Sequence, residues 1–216
     1  MSLVRRSQLR LSDRERERGQ GLVEFTLIVP LFLMFLLIAL EFGLAFNHKL
    51  TIGLASREGA RVASALANGG AINCASGNDP LSIDAQTVAA VQSILKSPGS
   101  DVVMANVSQI RIYKATSTGD QSGSSVDVWS YAPGAGPNMG TSGSPDYLDF
   151  SQTSVGWPVC SRNNASNPDS VGVQVVYTYH LQTALGGIVK FMFPSNQQSA
   201  TIAMTDQTVM SLNPTK

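Results

Sequence analysis

A long apolar run close to the N-terminus constrains this chain more than any other feature of its sequence. Within residues 22–46 the only ionisable side chains are Glu24 and Glu41, and residues 25–40 carry no charge. A helix rises about 1.5 Å per residue, so a run of this length spans the hydrocarbon core of a bilayer, which is about 30 Å thick. The sequence therefore predicts a single transmembrane helix over residues 20–46, with both carboxylates near the membrane interfaces.

The run is unlike an ordinary secretory signal, in which about 7–15 apolar residues precede the cleavage site. Here the apolar run is longer, and the plausible cleavage site, between Gly19 and Gln20, comes before it. We therefore expect the helix to remain in the mature protein. Pro30 lies inside the run and removes one backbone hydrogen bond, which membrane helices tolerate.

The charges around the helix predict its orientation. Six arginines against three acidic residues give residues 1–19 a net charge of +3, so the rest of the neutral chain carries −3. By the positive-inside rule, residues 1–19 form a cytoplasmic leader, and the chain after Phe46 is exported across the cytoplasmic membrane. The mildly acidic exported part argues against nucleic acid or anionic lipid headgroups as its partner.

Small and apolar residues continue with helical spacing beyond the membrane segment, which predicts an exported helix extension over residues 47–67. Asn68-Gly69-Gly70 then supplies a strong helix stop. Together with the membrane segment, this predicts one helix of about 45 residues. One stripe of the extension, which we interpret as a core contact, recurs every three or four residues: Ile52, Ala55, Gly59, Val62 and Leu66.

Residues 68–216 are predicted to form an exported α+β domain with a small antiparallel sheet. An amphipathic helix follows Asp79-Pro80, which reads as an N-cap residue and a proline at the first helical position. The apolar segment 185–194 is predicted as an exposed loop that packs on the sheet edge or, less favoured, touches the membrane surface or a partner subunit. Strand-like patterns of apolar residues predict the strands: 102–114, 126–131, 171–183 and 200–212.

Residues 115–170 differ in composition from their neighbours, being rich in Gly, Ser, Asn, Asp and Pro. This composition predicts a long insertion with turns and room for a short strand. Its acidic residues lack the spacing of a calcium loop and are predicted to be solvated: Asp120, Asp127, Asp146, Asp149 and Asp169.

The chain has two cysteines, Cys74 and Cys160. In an oxidising compartment, a single disulfide that closes a long loop is the natural pairing, and it would attach the end of the insertion to the loop after the long helix. The alternative is two unpaired buried thiols. Neither arrangement has the spacing of a redox CxxC motif or of a metal site.

The segment from Arg18 to Ala63 closely resembles the N-terminal signature of TadE-like proteins, which are the pseudopilins of the Flp, or Tad, type IVc pilus systems. The chain departs from the family pattern at Leu44, where an arginine is often found. The resemblance strongly covers about 46 of the 216 residues, and it implies a pilin-like plan for the α+β fold. Four pieces of the signature occur in order: Gln20 to Phe25, Pro30, Glu41-Phe42-Gly43 and Arg57-Glu58-Gly59-Ala60-Arg61.

The resemblance implies that a prepilin peptidase cuts between Gly19 and Gln20, where glycine lets the backbone extend into a narrow active site. Glu24, the fifth mature residue, would then meet the free amino group of a neighbouring subunit, with Phe25 beside it in the assembly surface. A lone carboxylate in lipid is costly, and a pair formed only on assembly turns that cost into register specificity. The alternative is that Glu24 reaches the cytoplasmic interface and has no partner. Glu41, at the outer interface, is either solvated or has a specific role.

The sequence predicts a structural and assembly protein without cofactors, and not an enzyme. His48 and His180 lie far apart and fit satisfied core or surface positions, and no nucleophile, phosphate-loop or metal motif stands out. We expect a minor pilin or pseudopilin of a Flp/Tad-type pilus, whose partners are the prepilin peptidase, other pilin subunits and the membrane assembly platform. One alternative is an uncleaved single-pass membrane protein whose exported domain binds a ligand or partner. A major pilin is disfavoured because the 115–170 insertion would crowd a dense filament.

Overall fold

The computed structural model describes residues 4–67, 81–141, 143–192 and 201–213, with side chains from residue 20 onward except at 81–82 and 189–192. The chain forms two compact units. The first contains the chain up to Leu44 together with residues 181–200, and the second contains residues 45–180 together with the chain from Thr201 onward.

One helix, α1, runs from Val4 to Leu66 and contains Pro30. The predicted long helix is therefore confirmed, and it also takes in most of the leader. Ala67 follows with a positive φ of 49°, a left-handed conformation that ends the helix. The predicted stop at residues 68–70 lies outside the described residues.

The apolar part of α1, in the first unit, exposes large hydrophobic side chains along its length. Phe25 is 66% exposed and Phe42 is 72% exposed, and none of the most apolar stretch is buried. Such a surface is unfavourable in water. Among the described residues, α1 from Gln20 onward is the one helix whose length and composition would let it cross a membrane, a property that signal sequences share.

The second unit contains helix α2 (Leu81–Leu95) and a five-stranded antiparallel sheet in the order β3-β2-β1-β4-β5. The predicted α+β fold, with a long N-terminal helix and a small antiparallel sheet, is confirmed. The amphipathic helix predicted after Asp79-Pro80 corresponds to α2, although those two residues lie outside the described part of the chain. The strands are β1 (Val107–Ala115), β2 (Gln121–Tyr131), β3 (Phe150–Ser154), β4 (Ser170–His180) and β5 (Thr201–Ser211).

Two of these strands show why the 115–170 segment was hard to predict. β2 begins five residues before the predicted 126–131 strand, and β3 was not predicted as a strand of its own. The first residues of β2 include Gly123 and Ser124, which are exposed. Because they are consecutive, they lie on opposite faces of the strand, so this part of β2 has no apolar face that a sequence pattern could detect.

The part of α1 in the second unit packs closely against both α2 and the sheet. A Cβ on Gly59 would lie 2.5 Å from Val91 Cγ2 of α2 and 3.0 Å from Val173 Cγ1 of β4. The predicted stripe is buried at Ile52, Ala55 and Gly59, but Val62 and Leu66 are only partly buried. The buried face instead continues through smaller residues, which allow the helix to approach its neighbours: Ala60, Ala63 and Ala67.

A short helix, α3 (Leu185–Met192), belongs to the first unit. The loop predicted over 185–194 is therefore wrong for its first eight residues, and the last two lie outside the described residues. Two consecutive glycines, at positions 186 and 187, have low helix propensity. The apolar positions 185, 188, 189 and 192, however, recur with the period of a helix.

Candidate assembly surface and supporting clusters

The predicted processing junction lies within α1. Gly19 and Gln20 are both helical, and Gln20, Glu24 and Phe25 are all exposed. Gln20 Nε2 donates a 3.0 Å hydrogen bond to Glu24 Oε1, one helical turn further on. The structure therefore places the predicted processing and assembly residues together, at one end of the exposed apolar surface.

A shallow apolar groove follows the same helix beyond this end. Its lining residues are spaced so that they lie along one side of the helix. In a membrane, such a side can pack against lipid or against another helix. The groove is lined by Ile28, Leu31, Phe32, Phe35, Leu36 and Ala39.

Glu41, the second ionisable residue of the apolar run, is only 6% exposed. Its Oε1 accepts a 3.0 Å hydrogen bond from the backbone N–H of Gln182, and its Oε2 accepts one of 2.8 Å from the N–H of Thr183. Both partners belong to the first unit. Glu41 is therefore engaged in a specific contact and is not a solvated carboxylate.

In the second unit, polar side chains of α1 hold the edge strand β5. Lys49 Nζ lies 2.7 Å from Asp206 Oδ2, and Ser56 Oγ donates a 3.0 Å hydrogen bond to Asp206 Oδ1. Further along the helix, Ser64 Oγ donates to the backbone carbonyl of Ser211. These contacts reach from the middle of β5 to its last residue, so the strand is fixed to the helix as well as to β4.

Three charged residues form a buried cluster that joins α2, β2 and the segment after β3. Arg162 Nη2 lies 2.8 and 2.9 Å from the two carboxylate oxygens of Asp84, and it donates a 3.0 Å hydrogen bond to Asp127 Oδ2. Asp127 Oδ1 accepts two further 2.9 Å hydrogen bonds, from the N–H groups of Gly156 and Trp157. The prediction that Asp127 is solvated is therefore wrong, because this acid is an internal partner of the only guanidinium in the cluster.

The cluster contains two carboxylates and one cation. Burial raises the pKa of Asp84 to about 7, against the opposing effect of the positive charge on Arg162 and with a further contribution from Asp127. Strand alternation could have placed Asp127 in the core, because it lies two residues before the buried Trp129 and so on the same face of β2. No local pattern marks Arg162, whose partners are 35 and 78 residues away in the sequence.

The two histidines occupy different environments. His48 is buried, with Nδ1 3.0 Å from Tyr177 Oη, and its ring packs against the rings of Tyr177 and Tyr179 at centroid distances of 5.6 and 5.0 Å. His180 is exposed at the end of β4. The sequence predicts a satisfied core or surface position for each histidine, and His48 has the core position. Within the described ranges, no group of three His, Cys, Asp or Glu side chains is placed to hold a metal ion.

The Cys74–Cys160 disulfide stays a prediction. Cys160 lies in a 3-10 turn, Val159–Ser161, directly before Arg162 of the buried cluster, whereas Cys74 lies outside the described residues. If the predicted disulfide forms, it links the loop after α1 to a position two residues before Arg162 of the buried cluster.

The described residues define an α+β protein with one candidate membrane-spanning helix near its N-terminus, and the predicted processing and assembly residues lie on that helix. Residues 19–61 match the family model described as TadE-like protein, which confirms the resemblance inferred from the sequence. The match begins at Gly19, at the predicted processing junction, includes Glu24 and Glu41, and ends at Arg61. It indicates a membrane protein related to Flp/Tad pili, and this pilus-assembly family is not an enzyme family. No curated protein and no solved structure matches the chain.

Proposed function

We propose that this chain is a minor pilin or pseudopilin of a Flp/Tad-type pilus, held in the cytoplasmic membrane by α1 with its C-terminal domain exported. A prepilin peptidase cuts between Gly19 and Gln20, and the mature chain then joins other pilin subunits and the membrane assembly platform. The observation that carries the proposal is the position of Glu24, which is exposed on the apolar helix one turn after the junction and lies within the family match.

The electrostatics of this end of the helix connect processing to assembly. Before cleavage, Glu24 accepts a hydrogen bond from the side-chain amide of Gln20, which is neutral and leaves the carboxylate charge unbalanced. Cleavage creates an ammonium group at the backbone nitrogen of Gln20. Within one chain that group is a helical turn away from Glu24, about 6 Å along the axis, so a neighbouring helix is better placed to bring an ammonium into direct contact. Such a charge-assisted pair offsets the cost of the carboxylate in lipid.

The backbone of the junction also suits proteolysis. Gly19 is helical in α1, whereas a peptidase needs an extended backbone at the bond that it cuts. A glycine in a helix costs about 1 kcal/mol relative to alanine, and Gly21 adds a second such residue two positions later. The helix is therefore easier to unwind around Gln20 than in the uninterrupted apolar run.

Intact mass and N-terminal sequencing of the protein from native membranes test this processing. We expect the wild-type chain to begin at Gln20 and a Gly19→Arg variant to keep its leader. Gly43→Ala is the matched control, because a Cβ there also meets no atom within 4 Å and the residue lies far from the junction, and it should be cut like the wild type. A wild-type chain that retains its leader would contradict the proposal and favour the uncleaved membrane protein whose exported domain binds a ligand or partner.

A further inference from the structure

Glu41 attaches the chain that precedes α3 to the far end of the apolar helix. Its two carboxylate oxygens accept hydrogen bonds from the backbone N–H groups of Gln182 and Thr183. Hydrogen bonds to a charged acceptor are strong, particularly where water is scarce. The Thr183 hydroxyl in turn accepts a 3.3 Å hydrogen bond from the N–H of Leu185, the first residue of α3. α3 therefore begins within two residues of an anchor on α1.

The position of Glu41 along α1 sets the depth of this anchor. From Gly21 to Glu41 the helix rises about 30 Å, which is the thickness of the hydrocarbon core. If α1 crosses the membrane, Glu41 therefore lies at about the outer boundary of that core. The eight residues of α3 extend only about 12 Å, so the whole of this short helix stays near the same boundary.

α3 is strongly apolar for its length. Lys190 is its only charged residue, and five of its eight residues are Leu, Ile, Val, Phe or Met. Leu185 is buried in the protein. Ile188 is 37% exposed. α3 belongs to the same compact unit as the apolar part of α1.

We propose that α3 lies in the outer interface of the phospholipid bilayer, beside the point where α1 leaves the membrane, and that Glu41 holds it there. The driving force is the burial of apolar side chains among the lipids, because a helix with a single cation gains little from anionic headgroups. Eight residues alone would bind a membrane weakly, but α1 keeps them at the surface, so most of the entropic cost of association is already met. The proposal depends on α1 crossing the membrane and is independent of the role in a pilus.

Quenching of tryptophan fluorescence by brominated phosphatidylcholine tests this position. The full chain carrying Ile188→Trp is reconstituted into phosphatidylcholine vesicles with bromine either close to the headgroup or close to the end of the acyl chains. We expect the emission from position 188 to be quenched more by the shallow bromines than by the deep ones. The two native tryptophans, Trp129 and Trp157, are buried in the second unit. Their emission is a background that is measured with the wild-type protein.

Two further tryptophan variants calibrate the experiment. Val155→Trp, at a residue that is 55% exposed in the second unit, is the matched exposed control, and its quenching gives the reference level for an exposed tryptophan outside the first unit. Phe35→Trp lies in the middle of the apolar run and should be quenched more by the deep bromines.

Variants at Glu41 test the anchor itself. In the Ile188→Trp background, Glu41→Ala should reduce the shallow quenching by about half or more, because both hydrogen bonds that hold the start of α3 are lost. Glu41→Gln keeps one accepting oxygen, so its shallow quenching should lie between that of the parent Ile188→Trp protein and that of the Glu41→Ala variant. Unchanged emission of the native tryptophans shows that the second unit remains folded in each variant.

Each outcome decides the proposal. Emission at position 188 that neither lipid quenches, with Phe35→Trp quenched as expected, would overturn it, because α1 would then span the bilayer with α3 outside. Stronger quenching by the deep bromines than by the shallow ones would also overturn it. If Phe35→Trp is not quenched, α1 does not cross the membrane, and the proposal fails with that premise. Processing is tested separately, by the mass of the mature chain.

Discussion

Lys49 of α1 and Asp206 of β5 form an ion pair with a distance of 2.7 Å between Nζ and Oδ2. β5 is an edge strand that pairs only with β4 in the sheet. Edge strands expose unpaired backbone groups and are places where sheets fray or join other chains. The polar contacts from α1 therefore supply a second attachment for the strand that ends the sheet.

This attachment predicts unequal effects at its two ends. Asp206→Ala should lower the free energy of unfolding by about 1–2 kcal/mol, because Ser56 as well as Lys49 loses its carboxylate acceptor. Lys49→Met should cost less than about 1 kcal/mol, because a partly exposed ion pair contributes little. Denaturant unfolding of the detergent-solubilised protein, followed by tryptophan fluorescence, measures both. Equal losses would show that the hydrogen bond from Ser56 contributes nothing.

Alanine substitutions at Gly59 and at Gly53, which both lie on α1, are expected to have opposite effects on the free energy of unfolding. A Cβ at position 59 would collide with Val91 Cγ2 at 2.5 Å, whereas at position 53 its nearest neighbour is Asp206 Cγ at 3.5 Å, an ordinary contact. Gly59→Ala should therefore destabilise the protein by about 1–2 kcal/mol, the cost of overpacking less the gain in helix propensity. Gly53→Ala should be neutral or should stabilise by up to about 1 kcal/mol. The same unfolding measurement compares them, and a stabilising Gly59→Ala would mean that α1 and α2 are less tightly packed.

The buried cluster predicts a pH dependence of stability. Because burial raises the pKa of Asp84 from 3.8 to about 7 in the folded protein, the folded state holds the proton more tightly than the unfolded state. The contribution of this group to stability is full below about pH 4 and is lost as the pH rises through 7, by up to about 4 kcal/mol. Asparagine mimics the protonated acid and does not titrate. The stability of the Asp84→Asn variant relative to the wild type should therefore increase between pH 4 and 8.

Unfolding curves measured over that pH range test this prediction. The fluorescence of Trp157 reports on the cluster, because its ring lies 4.7 Å from the Arg162 guanidinium. Asp146→Asn, at an exposed carboxylate, is the control and should show a difference from the wild type that hardly changes with pH. A difference for Asp84→Asn that is equally flat would contradict the raised pKa.

Glu24→Gln separates processing from assembly. The variant should still be cut after Gly19, since the bond itself is unchanged, but it should crosslink to other pilin subunits in native membranes about tenfold less than the wild type. Loss of an ion pair in lipid costs more than the roughly 1.4 kcal/mol that corresponds to a factor of ten. Glu58→Gln removes a carboxylate from the same helix outside the apolar run and should crosslink normally. Normal crosslinking of Glu24→Gln would exclude the assembly role of this carboxylate.

Local patterns predicted those parts of the molecule in which neighbouring residues act together. The long helix follows from an uninterrupted apolar run, and β4 follows from the alternation of Val171, Val173 and Val175, which are all fully buried. The same reasoning failed where the pattern was short or mixed. The Gly-Gly pair in α3 and the serine and glycine residues in the first half of β2 have low propensity for the structure that they form. Helix and strand formation at these places depends on packing more than on intrinsic propensity.

The sequence by itself therefore determined the long helix and the α+β class with its small antiparallel sheet, and it supplied the proposal of a junction at Gly19–Gln20. Only the tertiary structure decided which charged residues are partners. Glu41 bonds to backbone groups 141 and 142 residues away, and Arg162 joins two acids that lie 35 and 78 residues before it. A charge is costly to bury alone, so each of these residues is buried only because folding brings its partner to it. Such distant pairings leave no periodic signal, since they arise from the way the elements pack and not from the chain next to each residue.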